Sequence, residues 1–336
     1  MTAIDEATAV RVPGEVSLRH RMSDLFLQIG LLPILLAAMV VFFAVRETSF
    51  FSGPNVSNVG RQAVYLLLVT LGQMIVLLCA QLDLSVGATI ALTSVVTAST
   101  MSNADQPTAG TIMAGMAAGL CVGLVVGLVN GIVVAFLRVP SFIVTMGSAS
   151  IATGIALIMS HGAPVTGVPS EFTSMFGTGQ WFGVPVPLFI GAGAIVVMYV
   201  VLSWTTFGRN IYAIGGNEVA ALLAGVRVKL QLVGAFVICS LLSSLAGVLL
   251  TARVASGEAT IGGSFVLLSV AAAVLGGTSL FGGEGRLAFV VLGVIFLGVL
   301  SNGMNLLLIS SYVQQLVLGA VLIGAVAIDR IKPRIG

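Results

Sequence analysis

Ten stretches of mostly apolar residues follow one another along this chain, and they constrain its fold more than any other feature. Each is close to the roughly 20 residues that a helix needs to cross a bilayer. Only 8% of the residues are charged and 58% are hydrophobic, whereas a soluble domain has about 25% charged residues. The sequence therefore predicts an all-α polytopic membrane protein with about ten transmembrane helices. The predicted spans lie near 25–45, 62–80, 85–101, 110–136, 142–160, 186–204, 230–251, 264–281, 287–306 and 312–328.

These spans define a predicted transmembrane domain over residues 25–328, between an N-terminal tail of residues 1–24 and a C-terminal tail of residues 329–336. The first apolar run begins too late and is too long for a signal-peptide core, which favours a retained span. The segment 264–281 is short and bracketed by glycine pairs. Whether it is a full span or a broken, re-entrant helix stays open at this point.

The basic residues predict how the spans are oriented. With ten spans and the N-terminus in the cytosol, eleven Lys and Arg residues fall on the cytosolic side, and three, Arg46, Arg61 and Arg253, fall outside. Cytosolic loops of membrane proteins carry an excess of Lys and Arg. An odd number of spans would place the basic C-terminal segment outside and weaken this bias. Both termini are therefore predicted to be cytosolic.

Two segments hint at an internal repeat. "GLVNGIVVAFLRVPSFIVTMG" (127–147) resembles "GVLSNGMNLLLISSYVQQLVLG" (298–319), and each contains an Asn-Gly pair late in a span, at Asn130 and Asn302. The offset places five spans in each half. Because five is odd, the two halves would be inverted repeats, an arrangement common in transporters.

Several classes of chemistry lack their signatures in this chain. There is no G-x-x-x-x-G-K-[ST] loop for nucleotide phosphates, no G-x-S-x-G and no H-E-x-x-H. The two histidines and three scattered cysteines predict no metal site, and the cysteines are expected to be buried packing residues. The basic residues form no patch that would bind nucleic acid. We therefore expect no catalytic residue and no cofactor.

Asp83 is the one charged residue between Arg61 and Asp105. It is interpreted in two ways. As an N-cap at the membrane interface it would start the third span; as a polar group inside the membrane it would belong to a transport pathway or gate, since charges there are costly and rare. The candidate pathway or gate residues are Asp83, Ser85, Asn130, Gly276, Gly277 and Asn302.

The stretch "GGNEVAALLAGV" (215–226) predicts a short helix between the sixth and seventh spans. Asn217 is a favourable N-cap, Glu218 lies where the helix dipole favours negative charge, and Gly225 suits a left-handed C-terminal cap. The helix is far too short to cross a bilayer.

Four blocks resemble the permease subunit of ribose-type ABC sugar importers. They are "QLDLSVGATIAL" (81–92), "GLVNGIVVAFLRVPSFIVTMGSASIATGIAL" (127–157), "TTFGRNIYAIGGNEVAALLAGVRV" (205–228) and "AAAVLGGTSLFGGEGR" (271–286). They stand in the family's order, and the resemblance covers nearly the whole chain after residue 25. It is specific for the family and much less so for the substrate.

The resemblance implies that the cytosolic loop 205–229 couples the chain to an ABC ATPase subunit. The capped helix is the core of this loop, and its small alanine face would allow close seating. The residues expected to couple are Arg209, Asn217, Glu218, Ala221, Gly225 and Arg227. The chain itself would hydrolyse nothing.

The resemblance also implies other partners and a location. A periplasmic or extracellular binding protein would deliver a small, ribose-like sugar or polyol, and the outer arginines Arg46, Arg61 and Arg253 are available to dock it. A second permease copy, identical or paralogous, would pair with this chain in the lipid of a bacterial plasma (inner) membrane.

A self-sufficient secondary transporter with inverted repeats is the alternative. It would explain the spans and the repeat. It would not explain the capped cytosolic helix, and the chain lacks a clear set of carboxylates within the membrane that could carry protons.

Overall fold

A computed structural model describes residues 32–102 and 108–331, and almost all of its regular structure is helical. The helices are α1 (Leu32–Arg46), α2 (Gly53–Leu78), α3 (Val86–Ser102), α4 (Ala109–Leu137), α5 (Ser141–Ser160), α6 (Ser170–Phe172), α7 (Val186–Trp204), α8 (Thr206–Gly216), α9 (Glu218–Leu223), α10 (Val228–Val254), α11 (Phe265–Leu275), α12 (Leu287–Leu306) and α13 (Ser311–Ile331). A π-helical turn, Thr173–Thr178, follows α6, and a hairpin of β1 (Gln180–Trp181) and β2 (Val184–Pro185) precedes α7.

Six helices of the described ranges, α2, α4, α5, α7, α10 and α12, are long and apolar enough to cross a membrane. Four more apolar helices are shorter: α1, α3, α11 and the apolar part of α13. Helix α11 has 11 residues. At about 1.5 Å per residue it is roughly 16 Å long, about half the hydrocarbon thickness of a bilayer. The segment 264–281 is therefore not one continuous full-length helix.

The two predicted tails lie mostly outside the described residues. Nothing of the segment 1–24 is described, and α13 continues to Ile331, three residues into the predicted C-terminal tail. Residues 332–336 and most of the predicted loop after α3 also lie outside the described ranges.

The bundle has two ends, which differ in their basic residues. One end of the bundle contains α8 and α9, and we call it the α9 end. Three helices end there (α2, α4 and α11), and two begin there (α10 and α12). The opposite end contains the end of α1 and the start of α2. The exposed or partly exposed basic residues of the α9 end are Arg138, Arg209, Arg227, Lys229 and Arg286, whereas those of the opposite end are Arg46, Arg61 and Arg253.

Helix α2 forms the centre of the bundle. Every residue from Val64 to Leu78 is buried, because α10, α12, α11 and α7 surround it. A helix that is apolar on all sides is stable only inside a protein or a membrane. Helix α2 is therefore the central helix, and α7, α10, α11 and α12 pack around it.

Helix α4 packs closely on α10 and α3 through glycines that recur at every fourth residue. The five members of this series are buried: Gly115, Gly119, Gly123, Gly127 and Gly131. A Cβ atom at Gly127 would lie 2.6 Å from the Cα atom of Val237 on α10. Small residues at this spacing let membrane helices approach closely.

The variant Gly127→Leu is expected to lose about 3 kcal/mol of stability, because its side chain would push α4 away from α10. The measurement is thermal unfolding of the purified full chain in detergent. Gly193→Leu is the matched control, since Gly193 is an exposed glycine of α7 with open space around its Cβ position. Equal unfolding temperatures for the two variants would contradict the close packing of α4.

Two non-helical segments enter the bundle, residues 79–85 before α3 and residues 255–264 before α11. The second runs along α3, because the backbone N–H of Glu258 donates to Ser94 Oγ over 3.1 Å and Gly262 packs against the backbone of Gly87. Non-helical backbone at membrane depth is tolerated where it is buried in protein. The starts of α3 and α11 therefore meet inside the bundle.

Candidate functional site

A polar cluster inside the bundle joins three of the sequence-predicted residues. The side-chain amide of Asn130 on α4 donates to Ser85 Oγ over 2.9 Å, and Ser85 Oγ donates to Asp83 Oδ1 over 2.6 Å. The backbone N–H of Ser85 donates to the same carboxylate oxygen over 2.8 Å. All three side chains are fully buried. The cluster therefore ties the segment 79–85 to α4.

Hydroxyl groups of α5 also bind the segment 79–85. The backbone N–H of Leu82 donates to Ser141 Oγ over 3.1 Å, and that of Leu84 donates to Thr145 Oγ1 over 3.0 Å. These bonds replace the helical partners that a non-helical backbone lacks, which is necessary because a buried N–H without a partner is costly. Neither Ser141 nor Thr145 was identified from the sequence, since nothing local marks them as partners of a distant loop.

The interpretation of Asp83 as an N-cap at the membrane interface is wrong. Helix α3 begins at Val86, so Ser85 is the residue that precedes it, and Asp83 accepts from Ser85 rather than from the first turn of the helix. Asp83 is also fully buried. The physical reason is that α3 begins inside the bundle and not at its surface.

Two acceptor atoms of the cluster have no hydrogen-bond partner, Asp83 Oδ2 and Asn130 Oδ1. A buried acceptor without a partner costs about 1–3 kcal/mol. A hydroxyl group or a water molecule could donate to either atom. Both atoms are closed off in this conformation, so a solute could reach them only after the surrounding helices separate.

The variant Asp83→Leu is expected to destabilise the chain by about 2–5 kcal/mol, because it leaves the buried N–H and hydroxyl of Ser85 without an acceptor. Asp83→Asn keeps an acceptor oxygen and should lose less than half as much. Thermal unfolding of both variants in detergent measures the difference. Equal stability of Asp83→Leu and the wild type would show that the cluster does not hold the segment 79–85.

Gly276 and Gly277 lie at the end of α11, away from this cluster, and form a tight turn. A Cβ atom at Gly276 would lie 2.5 Å from the Cα atom of Val290 on α12, and Gly277 has a φ of +77° that favours glycine.

Asn302 also lies away from the polar cluster, at the opposite end of the bundle. Its amide and that of Asn55 exchange two hydrogen bonds of 3.0 and 2.8 Å. The structure therefore separates Asn302 from Asn130.

The capped helix between the sixth and seventh predicted spans is present as α9. Asn217 Oδ1 accepts from the backbone N–H of Ala220 over 3.0 Å, which confirms the N-cap, and Gly225 has a φ of +85°, which confirms the left-handed end. Glu218 begins the helix and is exposed. Both caps were predictable because they depend only on nearby residues.

The outward face of α9 is apolar. Val219, Leu222 and Leu223 are 67%, 60% and 83% exposed. Ala221 is buried in the main hydrophobic core, and its carbonyl oxygen accepts from the N–H of Val226. The expectation that Ala221 belongs to an outward alanine face is therefore wrong, because this side of the helix packs onto the bundle. Ala221 anchors α9, and the exposed face is larger and more apolar than expected.

Helix α8 connects α9 to the interior of the bundle. The N–H of Gly283 donates to the carbonyl oxygen of Leu78 over 3.0 Å, and Gly215 at the end of α8 packs directly on both of these groups. The hydroxyl of Tyr212 donates to the carbonyl oxygen of Gly285 over 2.9 Å. We call these five residues the α8 joint. Burial raises the pKa of the Tyr212 hydroxyl, so it stays protonated as a donor at neutral pH.

The α8 joint connects α9 to the polar cluster by a short path. Leu78 ends α2, and the segment 79–85 that follows it carries Asp83 and Ser85. Sequence reasoning identified neither Gly215 nor Leu78, because their contact joins distant parts of the chain. The two remaining predicted coupling residues, Arg209 and Arg227, are exposed at the same end.

The three arginines predicted for the outer side share the opposite end. One guanidinium N–H of Arg61 donates to the carbonyl oxygen of Thr178 over 3.0 Å, and one of Arg253 donates to Asn58 Oδ1 over 2.9 Å. Arg46 is exposed at the end of α1. Arg61 and Arg253 thus each use one guanidinium N–H group in a hydrogen bond within the chain.

The described residues contain no group of three or more His, Cys, Asp and Glu side chains that could hold a metal ion. Cys79 and Cys239 are buried, as expected for packing residues. Cys121 is exposed on α4, so the prediction that all three are buried is wrong. Its side of the helix faces away from the other helices of the bundle.

Comparisons with known proteins agree with the resemblance seen in the sequence. Residues 55–326 match the family described as "Branched-chain amino acid transport system / permease component". The chain is 39% identical over 295 residues to the ribose import permease protein RbsC of Bacillus subtilis. The aligned region covers 88% of this chain and 90% of the relative.

Two other relatives are permeases of different sugars. The D-allose transport system permease protein AlsC of Escherichia coli is 34% identical over 89% of this chain and 90% of its own length. The L-arabinose transport system permease protein AraH of the same organism is 37% identical, over 91% and 92% of the two chains. No solved structure matches the chain.

Proposed function

Because this chain belongs to the branched-chain amino acid transport system / permease component family, we propose that it is the membrane-spanning subunit of an ATP-driven importer that carries a small sugar or polyol. Relatives named for ribose, D-allose and L-arabinose support a ribose-like substrate. ATP hydrolysis belongs to a separate subunit, and this chain is a permease without a catalytic site. The observation that carries the proposal is α9, a capped helix with an exposed apolar face, connected through the α8 joint to the interior.

In the proposed mechanism the apolar face of α9 seats on the cytosolic ATPase subunit. Closure of the ATPase upon ATP binding would move α8 and α9 together, because Ala221 of α9 packs in the same hydrophobic core as Ile211 and Ile214 of α8. The α8 joint would pass this movement to the end of α2 and to the segment 79–85. Breaking the bonds around Asp83 would then let α4 and α5 change position and open the pathway to the other side.

The proposed topology has ten spans in two inverted halves, with both termini in the cytosol. Two observations support the repeat. Asn130 lies near the α9 end of α4, whereas Asn302 lies near the opposite end of α12, and both α3 and α11 follow a non-helical segment inside the bundle. The concentration of basic residues at the α9 end supports its cytosolic position.

A binding protein outside the membrane would deliver the substrate to the opposite end. Arg46, which is exposed there, is the arginine best placed to contact such a partner, and Arg61 and Arg253 border the same surface.

A second permease copy would pack along α5, of which only 17% is buried within the chain. Exposed Gly147 and Ser150 on α5 favour close approach of another helix. Lipid would cover the remaining apolar surface in a bacterial inner membrane.

Co-purification from the native operon tests the proposal. The tagged chain is extracted in mild detergent, and the ATPase activity of the purified complex is measured. An ATP-hydrolysing subunit that co-purifies with the chain supports the importer. A chain that purifies without any ATPase and still moves solute across vesicle membranes without ATP would instead be a secondary transporter.

A further inference from the structure

A groove of about 490 Å³ opens on the side of the bundle at the α9 end. Its walls are the last turns of α7, Tyr212 of α8, and the first turns of α12. None of the residues predicted from the sequence to line the pathway, couple to the ATPase or dock the binding protein lines this groove. It is separate from the polar cluster around Asp83 and from the exposed face of α9.

The long walls of the groove are apolar. Ile195 and Val196 line it from α7, and Leu287 and Val291 line it from α12. Its lining on α7 extends from Ile195 to Ser203, which at about 1.5 Å per residue is roughly 12 Å. This length approaches the hydrocarbon depth of one leaflet, about 15 Å. The groove therefore suits an acyl chain that lies along the helices.

Aromatic side chains mark where the groove reaches the membrane surface. Tyr199 lines the groove and is half-exposed, and its ring lies 6.1 Å from that of Trp204, which is 70% exposed at the end of α7. Tyr and Trp collect at the level of lipid headgroups. The mouth of the groove is thus at the depth where a headgroup lies.

A free cation stands at this mouth. Arg286 lines the groove and is exposed, and within the described ranges its guanidinium makes no ion pair or side-chain hydrogen bond, including with nearby Glu284. Helix α12 begins beside it at Leu287, where no side chain caps the helix. Arginine binds phosphate oxygens through two parallel N–H donors.

From these observations we infer that the groove binds one anionic phospholipid from the cytosolic leaflet, with its phosphate on Arg286 and an acyl chain between α7 and α12. The inference rests on the proposed membrane orientation and not on the identity of the substrate. Tyr212 lines the groove and also donates to Gly285 in the α8 joint. A bound lipid would therefore hold α7, α8 and α12 together beside the joint.

The test measures lipid retention by the purified full chain, using native mass spectrometry after exchange into detergent with added phosphatidylglycerol. The wild type should retain one phosphatidylglycerol. Arg286→Gln should bind it at least tenfold more weakly, and Ile195→Trp should do the same by filling the apolar part of the groove. The control is Arg138→Gln, which removes an exposed basic residue of the same end outside the groove and should bind like the wild type.

Each other outcome would overturn the inference. Equal retention by Arg286→Gln and the wild type would exclude the headgroup contact, and displacement of the lipid by inorganic phosphate would identify a soluble anion as the ligand. Lipid binding that appears only after residues 1–24 are deleted would mean that the chain's own N-terminal segment fills the groove. Because no ATPase is present, the result is independent of whether the chain works as an importer.

Discussion

The double substitution Leu222→Glu, Leu223→Glu is expected to abolish co-purification of the ATPase subunit and ATP-dependent uptake, while the permease itself stays folded. Both side chains are mostly exposed, so the change disturbs no packing within the chain. Buried in an interface, two such leucines together contribute about 3 kcal/mol, and their loss weakens binding roughly a hundredfold. Glutamate adds the cost of burying charge. The measurement is the amount of ATPase retained on the tagged permease.

Leu308→Glu serves as the control for this experiment. Leu308 is 92% exposed at the opposite end, so it tests whether an added carboxylate on an exposed leucine is itself harmful. This variant should retain the ATPase. If the double variant on α9 also retained the ATPase at the wild-type level, α9 would not be the docking helix.

The substitution Gly215→Ala is expected to reduce ATP-dependent uptake strongly. A Cβ atom at this position would collide with the carbonyl oxygen of Leu78 and the N–H of Gly283, which are bonded to each other. The added methyl must therefore force the α8 joint apart. Because the outward face of α9 is unchanged, we expect the ATPase to remain bound while uptake falls at least tenfold, which separates coupling from docking.

The neighbouring glycine provides a matched control. Nothing lies within 4 Å of the Cβ position of Gly216, so Gly216→Ala adds the same methyl in the same helix without a collision. It should transport like the wild type. Wild-type uptake by Gly215→Ala would show that the joint does not transmit movement, and loss of the ATPase from this variant would show that its effect is on docking.

The sequence predicted well those features that depend on neighbouring residues. The boundaries of α9 follow from the N-cap at Asn217 and the left-handed end at Gly225, and both are local. The apolar runs likewise predicted where the helices lie, because about 20 apolar residues have few alternatives to a membrane helix. The glycine series of α4 recurs at intervals of four residues, so its close packing was also predictable from the sequence, although it was not predicted.

Features that depend on the arrangement of helices could not be predicted. Asp83 looked like an interfacial residue because it lies between two apolar runs, and only the fold shows that this segment enters the bundle. Ala221 and Leu222 are adjacent small and large apolar residues, and the sequence does not say which of them faces inward. The α8 joint brings together residues separated by more than 60 positions, for which one sequence provides no signal.

The measurement that tests the central claim most directly is uptake by proteoliposomes containing the complex purified from the native operon. Labelled ribose, D-allose and L-arabinose are offered together with the matching binding protein, with ATP inside or outside the vesicles. If the chain is the permease of an ATP-driven importer, at least one sugar accumulates only when ATP is on the side of α9. Accumulation that needs no ATP, or that continues after the ATPase subunit is removed, would contradict this function.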